Sequence, residues 1–147
     1  MLEMNEMLKL VVEREGSDLH ISVGKPPVMR IHGGLDIVDP DVVTPEDSDR
    51  LMREITPPRY QQQIQETGGA DFAYAYSDMA RFRCAVFRAR GNISIVMRLI
   101  PSKLLTFDQL GLPKDSIMEM LHAHRGLVLV TGPTGSGKTT SLATMID

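Results

Sequence analysis

The sequence predicts an α/β chain of the α+β kind. Helices and antiparallel hairpins come first, and a single strand, glycine loop and helix come last. Three observations lead there. Helical-period segments and alternating segments succeed one another between residues 2 and 100. Two glycine-containing turns, Gly33-Gly34 and Gly91-Asn92, separate short runs rich in β-branched residues, as in tight hairpins. Finally, Gly132-Pro133-Thr134-Gly135-Ser136-Gly137-Lys138-Thr139 fits the pattern G-x-x-x-x-G-K-[ST] at every fixed position.

The elements follow in order. Met4, Met7, Leu8 and Val11 fall at i, i+3, i+4 and i+7, with Glu3, Glu6, Lys9 and Glu13 between them. That spacing predicts an amphipathic helix over residues 2–15, with Gly16 as its C-cap. Residues 18–23 alternate polar and apolar and predict a strand. Gly24-Lys25-Pro26-Pro27 turns the chain, and strands follow at 28–32 and 35–38 around Gly33-Gly34. Thr44-Pro45-Glu46-Asp47 has the N-cap, N1 proline and acidic first turn of a helix running to Ile55. A further helix starts after Thr56-Pro57-Pro58 and stops at Gly68-Gly69.

Phe72, Tyr74 and Tyr76 alternate with Asp71, Ala73 and Ala75, and strands are predicted at 81–90 and 93–100. With Gly91-Asn92 as the two turn residues, Ala85 is placed opposite Arg98, Arg83 opposite Ile100 and Arg81 opposite Ser102. Arg81, Arg83 and Arg98 then share one face near the open end of the hairpin. Phe82, Cys84, Val86, Met97 and Leu99 share the other face. Residues 103–112 form a linker, and an amphipathic helix covers 113–124, with Ile117, Met118 and Leu121 as its apolar side. Leu127 to Thr131 reads as a buried strand, and 140–147 as the opening turns of a helix.

The last motif carries chemistry. Gly132, Gly135 and Gly137 allow dihedrals that a β-carbon forbids. Successive N–H groups then point inward as an anion-binding nest, and the helix start adds its unpaired N–H groups and dipole. Lys138 places a point charge at the β- and γ-phosphates, and the Thr139 hydroxyl suits Mg²⁺. The candidate nucleotide site is therefore Gly132, Pro133, Thr134, Gly135, Ser136, Gly137, Lys138, Thr139 and Thr140, with ATP and Mg²⁺ as cofactors and Thr139 as the metal ligand. Arg81, Arg83 and Arg98 are added because they cluster at the end of the hairpin that leads toward this segment.

Composition narrows the rest. The net charge of −3 over 147 residues offers no general electrostatic reason to bind nucleic acid. Cys84 is the single cysteine, which excludes an internal disulfide and fits a reducing compartment. No stretch approaches the ~20 apolar residues of a membrane helix. The first residues lack the basic start and apolar core of a signal peptide. His20, His32, His122 and His124 have no metal-ligand spacing.

Residues 16–142 also resemble the type II/IV secretion ATPase superfamily, and more closely its PilT-type pilus retraction ATPases. The resemblance rests on Ser17-Asp18-Leu19-His20, on Gly24-Lys25-Pro26-Pro27 with Arg30-Ile31-His32-Gly33, and on Arg81-Phe82-Arg83. It continues through Arg98-Leu99-Ile100-Pro101, Leu110-Gly111-Leu112-Pro113 and Arg125-Gly126-Leu127-Val128, into the glycine loop. It implies a PAS-like domain over 1–102, a linker over 103–112 and the start of a RecA-like ATPase domain over 113–147.

For the intact protein it implies a hexameric ring in the cytoplasm, at the inner face of the cytoplasmic membrane. Its partners would be pilus platform proteins in that membrane. The acidic box with its glutamate, the Walker B segment and the histidine box of such motors would lie beyond Asp147. The 147-residue chain is therefore expected to bind nucleotide weakly without hydrolysing it. Two alternatives stand beside this: a fragment of a pilus extension or type II secretion ATPase, and a non-catalytic assembly module. The absence of Cys-x-x-Cys and of an additional leading domain favours the retraction type.

Overall fold

The computed structural model describes residues 3–100, 105–133 and 136–146. The chain divides into two compact units, Met1–Pro101 and Ser102–Asp147. The first contains helices α1 (Met4–Glu13), α2 (Pro45–Ile55) and α3 (Pro58–Thr67). Its strands are β1 (Asp18–Ser22), β2 (Val28–Ile31), β3 (Gly34–Ile37), β4 (Gly69–Tyr76), β5 (Ala80–Ala89) and β6 (Asn92–Ile100). The second contains α4 (Lys114–Leu121) and α5 (Lys138–Ile146).

The six strands form one antiparallel sheet in the order β3-β2-β1-β6-β5-β4. The alternation seen in the sequence decides its faces. Leu19, Ile21, Met29, Phe82, Cys84, Val86, Ile95 and Met97 project to one side and are buried with Met4, Met7, Leu8 and Val11 of α1. Leu51, Met52 and Ile55 of α2 and Ile64 of α3 complete that core. Tyr60 stacks on Phe72 with ring centroids 5.0 Å apart. The opposite sheet face carries no helix of this unit among the described residues.

Helix ends show why the segments stop where they do. Thr44 accepts from the Asp47 N–H at 3.1 Å while the Asp47 carboxylate accepts from the Thr44 N–H, a reciprocal cap. α3 ends on Gly68 in the left-handed region, φ 84°. α1 differs from expectation: Arg14 is its C-cap, and the left-handed residue is Glu15, φ 54°. Gly16 answers a different need. A Cβ there would lie 3.3 Å from the Val11 carbonyl and 3.4 Å from that of Arg30.

Both hairpin turns lie one residue earlier than the sequence suggests. Ala89 pairs with Asn92 and Ile31 with Gly34, so the turn residues are Arg90-Gly91 and His32-Gly33. All four have positive φ: 53° and 84° for the first turn, 46° and 88° for the second. A type I′ turn needs that conformation at both positions and most often places glycine second. The expected register is corrected accordingly. Arg83 faces Arg98 and Arg81 faces Ile100. The shift is by two residues, so the faces themselves are unchanged. The expected partner of Arg81, Ser102, lies outside the described residues.

The predicted strand over 127–131 is not a strand here. Leu127 and Leu129 are 81% and 73% exposed, and no described strand pairs with them. Strand structure is a property of the ladder, and an apolar run without neighbours has none.

Candidate functional site

The glycine loop lies in the second unit. Gly132 has φ 152° and Gly137 φ 84°, both in the region that a β-carbon disfavours. A Cβ on Gly132 would come within 2.7 Å of the Ser136 Oγ. Lys138 opens α5, and the first intrahelical bond closes from the Ser141 N–H to the Gly137 carbonyl at 2.8 Å. By helix geometry the N–H groups of Lys138, Thr139 and Thr140 precede that bond and are left for another acceptor.

Lys138 Nζ donates to the carbonyls of Gly132 at 2.8 Å and Pro133 at 2.6 Å. The ammonium therefore straddles the start of the loop, and its third donor has no partner among the described residues. The Thr139 hydroxyl is exposed and makes no hydrogen bond among the described residues. Thr140 contributes its carbonyl, which accepts from Thr144 Oγ1 at 3.1 Å. Thr134 and Gly135 lie outside the described residues. A cavity of about 610 Å³ in the same unit, lined by Leu105, Phe107, Met118, Leu121, Thr144 and Met145 among others, includes no residue of the loop. Chemically, a positive side chain, left-handed glycines and a helix start suit a phosphate group.

The three arginines lie in the first unit, on the helix-free face of the sheet. Arg83 and Arg98 are cross-strand partners, and Arg81 lies two residues along β5, opposite Ile100. Like charges directly opposite destabilise a ladder, and two carboxylates answer them. Asp18, on β1, is the register partner of both Arg30 and Arg98. Its Oδ1 accepts from Arg98 Nε at 2.8 Å, and its Oδ2 accepts from the Ser17 hydroxyl at 2.7 Å with Arg30 Nε 3.7 Å away. Asp71 lies 3.6 Å from Arg83 Nε. One register level thus carries Arg30, Asp18, Arg98 and Arg83 across four adjacent strands. Arg81 has no ion pair among the described residues.

The Asp18 side chain is only 8% exposed. Burial alone would raise its pKa, but the hydrogen bonds from Arg98 and Ser17, with the Arg98 charge, hold it below the ordinary carboxylate range. Sequence reading singled out Asp18 only as part of a signature. A signal for its role was present: strand alternation puts it on the same face as Arg98, and β1 has a neighbour on each side. Cys84 is buried, and burial pushes its thiol up to about 12, so it packs as an apolar group.

Comparison with known proteins bears on the family and the fold. The sequence profile of the type II/IV secretion system protein family matches residues 2–147. The chain is 35% identical over 146 residues to PilT, the type IV pilus retraction ATPase of Pseudomonas aeruginosa, covering 99% of this chain and 42% of that protein. It is 33% identical over 145 residues to the type IV pilus ATPase PilU of the same organism, covering 99% and 38%. Among solved structures, the pilus retraction motor PilT with bound ADP superposes with a TM-score of 0.87 at 35% identity, covering 99% of this chain and 43% of that one. The chain spans less than half the length of these relatives.

Proposed function

The chain belongs to the type II/IV secretion system protein family, and from that premise we propose that it is the nucleotide-binding portion of a pilus retraction motor. The observation that carries the reading is Lys138 held across the start of a loop whose Gly132 and Gly137 are left-handed, at the first turn of α5. The related retraction motor was solved with ADP bound. In this reading a nucleotide phosphate replaces the Gly132 and Pro133 carbonyls as the acceptor of Lys138. The N–H groups of Lys138, Thr139 and Thr140 would donate to it, and the Thr139 hydroxyl would be the group to hold Mg²⁺.

The larger assembly is part of the same proposal. Residues 1–102 serve as the PAS-like domain and 113–147 as the start of a RecA-like domain, joined by 103–112, within a hexameric ring. The ring works in the cytoplasm against platform proteins of the inner membrane, with no nucleic acid involved. Arg81, Arg83 and Arg98 reach nucleotide phosphates across a boundary in that ring.

The 147-residue chain alone binds nucleotide weakly and does not turn it over. No hydrogen bond or ion pair joins a carboxylate to 136–140 among the described residues, and a water-positioning group is required for hydrolysis.

Titration of the chain with a fluorescent ADP analogue tests the reading. Saturable, Mg²⁺-dependent binding is expected, lost by Lys138→Ala with unchanged far-ultraviolet circular dichroism. Absence of binding would favour the alternative of an assembly module. In the longer protein, Arg83→Ala is expected to lower ATPase turnover without altering the fold of the first unit.

A further inference from the structure

The edge strand β3 is unprotected in a way that the other edge, β4, is not. On the helix-free face β4 presents Asp71, Ala73 and Ala75, which are small or charged. On the same face β3 presents Leu35 and Ile37, 57% and 60% exposed. It is four residues long, and it carries no proline, no lysine and no bulge, three of the usual devices that stop an edge from pairing. Its one charge, Asp36, lies on the other face and is engaged by Arg14 Nη2 at 2.7 Å.

Register decides what the edge offers. Ile31 and Gly34 flank a two-residue turn, so they are a hydrogen-bonded pair. Bonded and non-bonded pairs alternate, which makes Met29–Asp36 bonded and Arg30–Leu35 and Val28–Ile37 non-bonded. The Val38 N–H donating to the Pro27 carbonyl at 2.9 Å continues that alternation. The N–H and C=O groups of Leu35 and Ile37 therefore point away from β2. The two apolar side chains and the outward backbone groups belong to the same two residues.

Beside them lies a groove of about 390 Å³ lined by His20, Lys25, Val28, Arg30, Leu35 and Ile37, with Ser22 and Pro26. Its charged lining is cationic, and no carboxylate among the described residues lines it. Arg30 shares Asp18 with Arg98, while Lys25 is exposed and has no ion pair among the described residues. His20 Nε2 is buried without a hydrogen-bond partner among the described residues.

We infer that β3 is a strand-addition site for an extended acidic peptide, in which two apolar residues two positions apart lie beside Leu35 and Ile37 and a neighbouring carboxylate reaches Lys25 and Arg30. Peptide backbone supplies the missing ladder partners, and alternate side chains supply the selectivity. The apolar pair of the peptide falls on the helix-free face because cross-strand partners share a face. The site shares no residue with the glycine loop.

The probe is an acetylated, fluorescein-labelled peptide, Ser-Val-Thr-Val-Glu-Glu, titrated with the 147-residue protein. Saturable anisotropy is expected, with slowed hydrogen exchange at the Leu35 and Ile37 amides and no change at Asp36. N-methylation of both valines removes the peptide donors without touching the protein, and is expected to weaken binding at least about tenfold. Leu35→Pro removes an outward N–H that the sheet does not use, and is expected to do the same with the fold intact. Replacing Glu-Glu by Lys-Lys is expected to weaken binding about threefold, and Lys25→Glu to narrow that difference. Equal binding by the N-methylated peptide, or no saturable binding of the parent peptide, overturns the inference. So does a concentration-dependent dimer that Leu35→Pro abolishes in the absence of peptide binding, which would assign the edge to a second copy.

Discussion

Asp18 is the residue on which the helix-free face of the sheet turns. It is nearly buried, yet it stays ionised because Arg98 and Ser17 bond its two oxygens and Arg30 lies close by. Removing the charge while keeping the shape leaves two arginines without their shared carboxylate. Asp18→Asn is therefore expected to destabilise the chain by about 1–2 kcal/mol at pH 7, discounted because the Arg98 side chain is largely exposed. The pH dependence follows from the sign of the shift. The folded pKa lies below the unfolded one, so the stabilisation is present above the ordinary aspartate value, about 3.9, and is lost as pH falls through the lower folded value. Urea denaturation at pH 7 and at pH 3 checks both points. The gap between wild type and variant should shrink at the lower pH, and an equal gap at both would remove Asp18 as its source.

At the level of elements, what the sequence made legible and what it hid have the same cause. Periodicity is a one-dimensional trace of burial, so α1 to α3 and the strand faces were readable from Met4-Met7-Leu8-Val11 or Phe82-Cys84-Val86. Backbone sign is not written in hydropathy. Arginine at position 90 and histidine at 32 take left-handed conformations that their side chains do not advertise, so both turns were expected one residue late. Within the candidate site, the residue types of the loop were legible as phosphate chemistry. The Lys138 contacts to Gly132 and Pro133 were not, because they depend on a loop closing on itself. The β5–β6 turn offers a direct test. Gly91 at φ 84° has nothing within 4 Å of an added Cβ, so the cost of Gly91→Ala is conformational alone. A loss of about 1 kcal/mol is expected, while Arg90→Asn should be neutral or stabilising. Thermal melts of the two variants separate these outcomes, and a loss from Arg90→Asn equal to that from Gly91→Ala would contradict the type I′ assignment.

At the scale of the whole molecule, the two units differ in what holds them together. The first buries a continuous core from Met4 to Met97 under three helices. In the second, Ile117 is the only apolar residue among the described ones that is buried, and Leu127, Val128 and Leu129 face solvent. Hydrophobic burial is the main favourable term in folding, so cooperative stability should reside almost wholly in the first unit. Native-state hydrogen exchange is expected to show β1, β5 and β6 opening only with global unfolding, while amides at 127–130 exchange close to the unprotected rate. A chain ending after Lys103 should then unfold with the same urea midpoint as the full 147 residues. Its m-value should also be nearly the same, because m follows the surface exposed in the cooperative transition. A clear drop in midpoint on truncation would mean that residues 105–146 stabilise the sheet through contacts that their own burial does not account for. An unchanged midpoint would leave the glycine loop free to order on a ligand at little cost to the first unit.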